Sequence, residues 1–142
     1  MSDAETANRL VVLHDGDCSF CTGWVRRLAR WDRHDRLRFC PLGSARGRAL
    51  AARIGLDPDR PSTVIAVRGF EGADEDAARR SAAVLRIAAE LGGWFRLALV
   101  GRIVPGFLRD ALYDLVARHR HALGGAETCV LRDPELDRRL LR

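Results

Sequence analysis

Leu10-Val11-Val12-Leu13 runs straight into His14-Asp15-Gly16-Asp17-Cys18-Ser19-Phe20-Cys21, and the repeat Phe20, Trp24, Val25, Leu28, Trp31 runs out of it. No other stretch of the 142 residues restricts the fold so sharply. An apolar, β-branched run without alternation reads as a strand buried on both faces. A glycine between two acids reads as a tight turn, and the apolar spacing predicts a helix over 18–31 with arginines 26, 27, 30 and 33 opposite Trp24, Leu28 and Trp31. At a helix start several backbone N–H groups lack intrahelical acceptors and the dipole is positive, so a cysteine sulfur placed there is favoured as its thiolate. A second cysteine three residues on lies one turn away on the same face. It can attack a mixed disulfide formed by the first.

The rest of the chain extends this unit. After the polar break 32–35, Leu37-Arg38-Phe39-Cys40 alternates as a second strand, giving a β-α-β unit with parallel pairing. Ser44 caps a helix reaching Ile54, with Gly55 as its stop. Val64-Ile65-Ala66-Val67 is the clearest strand, and a short antiparallel edge strand is expected near 77–80. Ser81 is the expected cap of a third helix ending at Leu91, with Val84, Leu85, Ala88 and Leu91 inward. Trp94 to Val104 reads as an apolar helical cover. Pro105 opens a last helix in which Phe107, Leu108, Ala111, Leu112, Leu115 and Val116 recur at helical spacing, while Asp114 and Arg118 pair on its outer side. The expected organisation is a flexible tail over 1–9, one domain over 10–125, and a C-terminal tail over 126–142 that contains Cys129.

Composition narrows the classes of function. With 47% hydrophobic and 30% charged residues the chain is globular. All 24 basic residues are arginine, a pattern of GC-rich coding, so the net charge of +5 argues little for nucleic acid, and no nucleic-acid partner is expected. Residues 1–8 lack the basic start and apolar core of a secretory signal. The apolar stretch 91–108 is broken by Arg96, Arg102 and Pro105, so no membrane span is expected. The protein reads as a cytoplasmic monomer without a cofactor.

In a reducing compartment a Cys-x-x-Cys is catalytic or metal-binding rather than a permanent disulfide. Cys18 attacking and Cys21 resolving is the redox reading, with Cys18 taken as the sulfur nearer solvent; half of a zinc site is the alternative, although no second such pair exists to complete it. Asp15 is either a proton acceptor for Cys21 or a turn former beside Gly16. Asp17 either opposes a thiolate or caps the helix amides. His14 either tunes Cys18 or is merely hydrogen-bonded. Cys40, in a strand, reads as an inert buried thiol.

The string 14–21 resembles the DCC family of thiol-disulfide oxidoreductases, named for the Asp-x-x-Cys-x-x-Cys that Asp15, Cys18 and Cys21 match. Arg80-Ser81-Ala82-Ala83-Val84-Leu85-Arg86-Ile87, Leu91-Gly92-Gly93, Ile103-Val104-Pro105, Tyr113 to Arg120 and Cys129 are similar to that family as well. The resemblance implies an α/β, thioredoxin-like, three-layer fold: a mixed sheet of about four strands, helices on both faces and a C-terminal helical extension. It implies a redox role for the dithiol and says little of the partner, for which a protein or a low-molecular-weight thiol is expected. In such folds the strand facing the cysteines begins on a cis-proline whose neighbouring backbone pairs with substrate, which assigns substrate binding to Pro61 and Ser62. Cys129 is then a third redox thiol or a surface tail cysteine, and Tyr113 and Arg118 anchor the last helix. Unlike thioredoxin itself, no Trp precedes Cys18, and Ser19-Phe20 separates the cysteines.

Overall fold

A computed structural model describes residues 6–16, 18–57, 64–119, 122 and 134–141. Its elements are β1 (Leu10–His14), α1 (Ser19–Trp31), β2 (Leu37–Pro41), α2 (Ala45–Arg53), β3 (Ile65–Arg68), β4 (Asp76–Arg79), α3 (Arg80–Leu91), a 3₁₀ helix (Gly93–Ile103), α4 (Gly106–Arg118) and α5 (Pro134–Asp137). The four strands form one sheet in the order β2-β1-β3-β4. β1 runs parallel to β2, with Leu10 opposite Leu37 and His14 opposite Pro41. It runs antiparallel to β3, with Leu13 opposite Ile65, and β4 is antiparallel to β3. This is the mixed α/β sheet of a thioredoxin-like fold.

Every residue of β1 is buried, because the strand is central and covered on both faces. Its period of two divides the core. Leu10 and Val12 join Phe39 and Ala66 beneath Val25 and Ala29 of α1 and Ala83, Ile87 and Leu91 of α3. Val11 and Leu13 join Cys40, Ile65 and Val67 against Leu50 and Ala51 of α2 and Phe70. Each fully buried large side chain of these clusters contributes about 1.5–3 kcal/mol.

Helix ends follow their expected chemistry in α2 and depart from it in α3. The Ser44 hydroxyl accepts from Gly47 N (3.0 Å) and donates to Pro41 O (2.7 Å), and Gly55 stops the chain beyond the helix with φ 68°. Gly47 is required for a steric reason: a Cβ there would lie 2.2 Å from the Pro41 carbonyl oxygen. Gly47→Ala is therefore expected to lower stability by roughly 3 kcal/mol, read as a shift of the urea midpoint at constant slope. Ser81 does not cap α3. The N-cap is Arg79, and the Ser81 hydroxyl donates instead to Asp110 Oδ1 (2.5 Å), so a tertiary partner outcompetes the local one.

Three amphipathic assignments are corrected. The buried stripe of α1 is Val25 and Ala29, while Trp24 and Trp31 stay partly in solvent. On α3 Ala83 and Ile87 are inward and Val84 is exposed. The 3₁₀ helix and α4 bury no residue fully. α4 meets the body through its polar side: Asp110 bonds Ser81, Asp114 lies 3.8 Å from Arg80 rather than pairing outward with Arg118, and the Tyr113 hydroxyl accepts from Val64 N (2.9 Å). Periodicity reveals that a helix has an apolar side; which side docks depends on the partners that the polar side finds.

Residues 134–141, within the stretch expected to be a tail, close the outer edge of β2. Leu140 makes a parallel bridge to Phe39; Phe39 N donates to Arg139 O (2.9 Å), and Leu141 N to Phe39 O (2.7 Å). An open edge strand is thereby covered. Among the described residues no helix is long and apolar enough to cross a membrane.

Candidate functional site

The sheet carries Cys18 and Cys21 to the C-terminal end of its central strand. In open α/β sheets this is where connecting loops gather and ligands bind. Cys18 is the N-cap of α1 in extended backbone (φ −87°, ψ 114°), without a side-chain cap bond, and Cys21 lies within the first turn. The Thr22 hydroxyl donates to the Cys18 carbonyl (3.0 Å) and lies 3.5 Å from that of Gly16, tying the helix start to the turn before it. Thr22 was not singled out by sequence; only its position directly after the cysteine pair pointed to it. Beside this turn, Leu42 N donates to His14 O (2.9 Å). The loops that leave β1 and β2 are therefore adjacent.

Accessibility within the pair runs against expectation. Cys18 is 7% exposed, and Cys21 is only half-buried. The N-cap position fixes the backbone of Cys18, but its exposure depends on how the Asp15–Gly16 turn packs. Neither cysteine, nor buried Cys40, is in a disulfide. Burial pushes the Cys40 thiol up, and a bond from Ser44 and the charge of Arg46 only partly offset this. Both its burial and its raised pKa disfavour the reactive thiolate.

Asp15 is half-buried at the turn, directly ahead of the cysteines. His14 is 6% exposed, and neither ring nitrogen makes a hydrogen bond of good geometry among the described residues. Burial drives its pKa below the ordinary 6.5, while the backbone and carboxylate of Asp15 push weakly the other way. His14 is thus held neutral. The unfolded chain binds its proton near pH 6.5 and the folded chain only at lower pH, so stability is full above that range and falls as pH drops through it. In His14→Gln the acid limb of the stability curve is expected to flatten by up to about 1.4 kcal/mol per pH unit, measured by urea unfolding between pH 7.5 and 5.

Asp17, Pro61, Ser62 and Cys129 lie outside the described residues. The register still locates where the described part of β3 begins. Leu13 opposes Ile65, so Val64 reaches the His14 end of β1, the same end as the cysteines. Tyr113 holds Val64 there from α4. An open cleft of about 850 Å³ lies at the other end of β1, lined by Arg9, Arg36, Arg68 and Glu90 among others. Its guanidinium groups pair with carboxylates: Arg9 with Asp35, and Arg36 and Arg68 with Glu90. It is remote from the thiols. Among the described residues no three His, Cys, Asp or Glu side chains converge as a metal site.

A thioredoxin-like sheet whose central strand delivers a Cys-x-x-Cys to the start of a helix defines a thiol-exchange class of protein. The chain belongs to the DCC1-like thiol-disulfide oxidoreductase family, which it matches over residues 12–126. It is 35% identical over 129 residues to a chloroplastic DCC family protein of Arabidopsis thaliana, covering 89% of this chain and 72% of that one. It is 29% identical over 142 residues to the uncharacterized protein YuxK of Bacillus subtilis, covering 99% of both. No solved structure matches the chain. The family assignment supports a thiol-disulfide oxidoreductase role.

Proposed function

We propose that the protein is an enzyme that reduces disulfides of a protein or low-molecular-weight thiol partner, with Cys18 as attacking thiolate and Cys21 as resolving thiol. The observation that carries this reading is Cys18 at the N-cap of α1, one turn from Cys21, at the end of the central strand. The Cys18 sulfur attacks one sulfur of the substrate disulfide, forming a mixed disulfide and releasing the first substrate thiolate. The Cys21 thiolate then attacks the Cys18 sulfur, closing the Cys18–Cys21 bond and releasing the second. Two electrons pass from the dithiol to the substrate, and an external dithiol must return them.

Asp15, half-buried directly ahead of the cysteines, is the group we assign to the Cys21 proton, and His14, buried at the end of β1, is an accessory group that tunes Cys18. Pro61 and Ser62 remain the proposed substrate-pairing backbone, since the Val64 end of β3 reaches the site. Asp17 and Cys129 stand as accessory groups. The thiol chemistry suits a reducing compartment, which we take to be the cytoplasm, with the protein acting as a monomer.

The test is a thiol count. Under mild oxidation the reduced protein should lose two thiols together and regain them with a dithiol, leaving Cys40 unreactive until unfolding. Oxidation that leaves both Cys18 and Cys21 alkylatable would defeat the proposal. So would stoichiometric zinc, released only on chelation, in protein purified without chelator.

A further inference from the structure

The 3₁₀ helix arranges its side chains in a way that an α-helix would not. At three residues per turn, positions i and i+3 eclipse. Trp94, Leu97, Val100 and Ile103 therefore form one straight row, roughly 20 Å long at about 2 Å rise per residue. The row faces solvent: Trp94 is 74% exposed and Ile103 83%. Arg96 and Arg102, both exposed, fall in the neighbouring row. In the remaining row Phe95 turns inward, its ring centroid 5.3 Å from that of Trp31, and Gly101 faces Leu85, while Ala98 and Val104 are exposed. On α4, next along the chain, Phe107 is 72% exposed and Leu112 64% exposed.

Charge is segregated on this face. Between Leu91 and Arg109 the charged residues are Arg96, Arg102 and Arg109, with no acid among them. The next acids, Asp110 and Asp114, turn toward Ser81 and Arg80. A soluble surface would carry the reverse arrangement, with polar groups outward and apolar ones inward. The polar interactions of α4 with the body hold the apolar side out.

We propose that this face rests on the headgroup layer of an anionic lipid bilayer, the apolar row entering the interface and Arg96 and Arg102 meeting lipid phosphates. Aliphatic and aromatic side chains beside cations of a single sign are what such a surface binds. A second copy of the chain fits less well. An isologous contact through this face would set arginines against arginines with no carboxylate between them. The inference is independent of the thiol chemistry, but the two sites are joined by a line of aromatic rings. Trp94 lies tilted against Phe95 (4.8 Å between ring centroids) and Phe95 against Trp31, while Trp31 meets Trp24 (6.2 Å) and Trp24 meets Phe20 between the cysteines (6.2 Å) edge to face. Docking in this way would hold the Cys18 end of α1 near the membrane, roughly 20 Å along the helix from Trp31.

The test uses the full chain and vesicles of phosphatidylcholine with or without an equal share of phosphatidylglycerol. Wild type should float with the anionic vesicles and be released by high salt, and Trp emission should shift to the blue, a shift lost in Trp94→Phe. Ile103→Glu with Phe107→Glu, and separately Arg96→Glu with Arg102→Glu, should each lower partitioning at least about tenfold. Their unfolding midpoints should stay within about 2 °C of wild type, since all four side chains are exposed. Disulfide reduction in lipid-free solution should not change in either pair, so loss of docking is separable from loss of chemistry. The proposal is overturned if wild type ignores the anionic vesicles, or binds neutral ones equally well. It is also overturned if wild type is a dimer that Ile103→Glu with Phe107→Glu splits, which would make a second copy the occupant.

Discussion

Cys18→Ser is expected to reduce disulfide exchange to the uncatalysed background, a loss of at least about a hundredfold, whereas Cys21→Ser should arrest after one step. The two variants differ because the sulfurs have different roles in the cycle. Without Cys18 no mixed disulfide with substrate forms. Without Cys21 the mixed disulfide forms, but nothing inside the protein resolves it, so it accumulates as a covalent adduct visible on a non-reducing gel or by mass. The exposures make this a sharp comparison, because Cys21 is the more open of the two. If Cys18→Ser traps substrate and Cys21→Ser does not, the roles are reversed and the helix-end argument for Cys18 fails. Adducts at Cys40 are not expected in either variant, since its thiol is buried and its pKa raised.

The second large effect concerns the clasp formed by residues 134–141. Arg139 enters the body and donates to Ala29 O (2.7 Å), to Asp32 Oδ2 (3.1 Å) and to the Asp32 carbonyl (3.2 Å). The Asp32 side chain is fully buried and also accepts from Arg36 N (3.0 Å) and Leu37 N (2.8 Å). One carboxylate thus fixes the end of α1, the start of β2 and the C-terminal segment. Removing one member of such a buried pair leaves the other charge uncompensated, at a cost of about 3–5 kcal/mol. Arg139→Ala should therefore lower the melting temperature by roughly 10 °C in a chain of this size. Asp32→Ala should cost at least as much, because it also strips acceptors from two backbone N–H groups. A shift below about 2 °C for Arg139→Ala would mean that the segment does not hold the edge of β2. Disulfide exchange by the folded fraction should persist, since the clasp lies at the far end of α1 from the cysteines.

Much of this was legible in the residues themselves. The run of β1, the turn at Gly16, the helix after Cys18, the Ser44 cap and the Gly55 stop are each written in a few adjacent residues, because local backbone chemistry decides them. The same holds for the cysteine pair and its place at a helix start. What failed were statements about direction. Trp24 and Trp31 match helical spacing as well as Val25 and Ala29 do, yet the smaller pair fits against the sheet. The expected Ser81 cap gave way to a bond with Asp110, 29 residues away. Arg139 gives no local hint that it will enter the core, since its partners are Ala29 and Asp32, more than a hundred residues earlier.

The strand-turn-helix that carries the thiols, the family and the alternation that builds a two-faced sheet are all written in the residues, since each depends on spacing over a few positions. How exposed each sulfur is, which side of α4 looks outward, and where the C-terminal segment docks emerge only once the chain is folded. These depend on which distant groups meet. A polar partner such as Arg80, Val64 or Asp32 can outweigh an apolar stripe in choosing the face that packs.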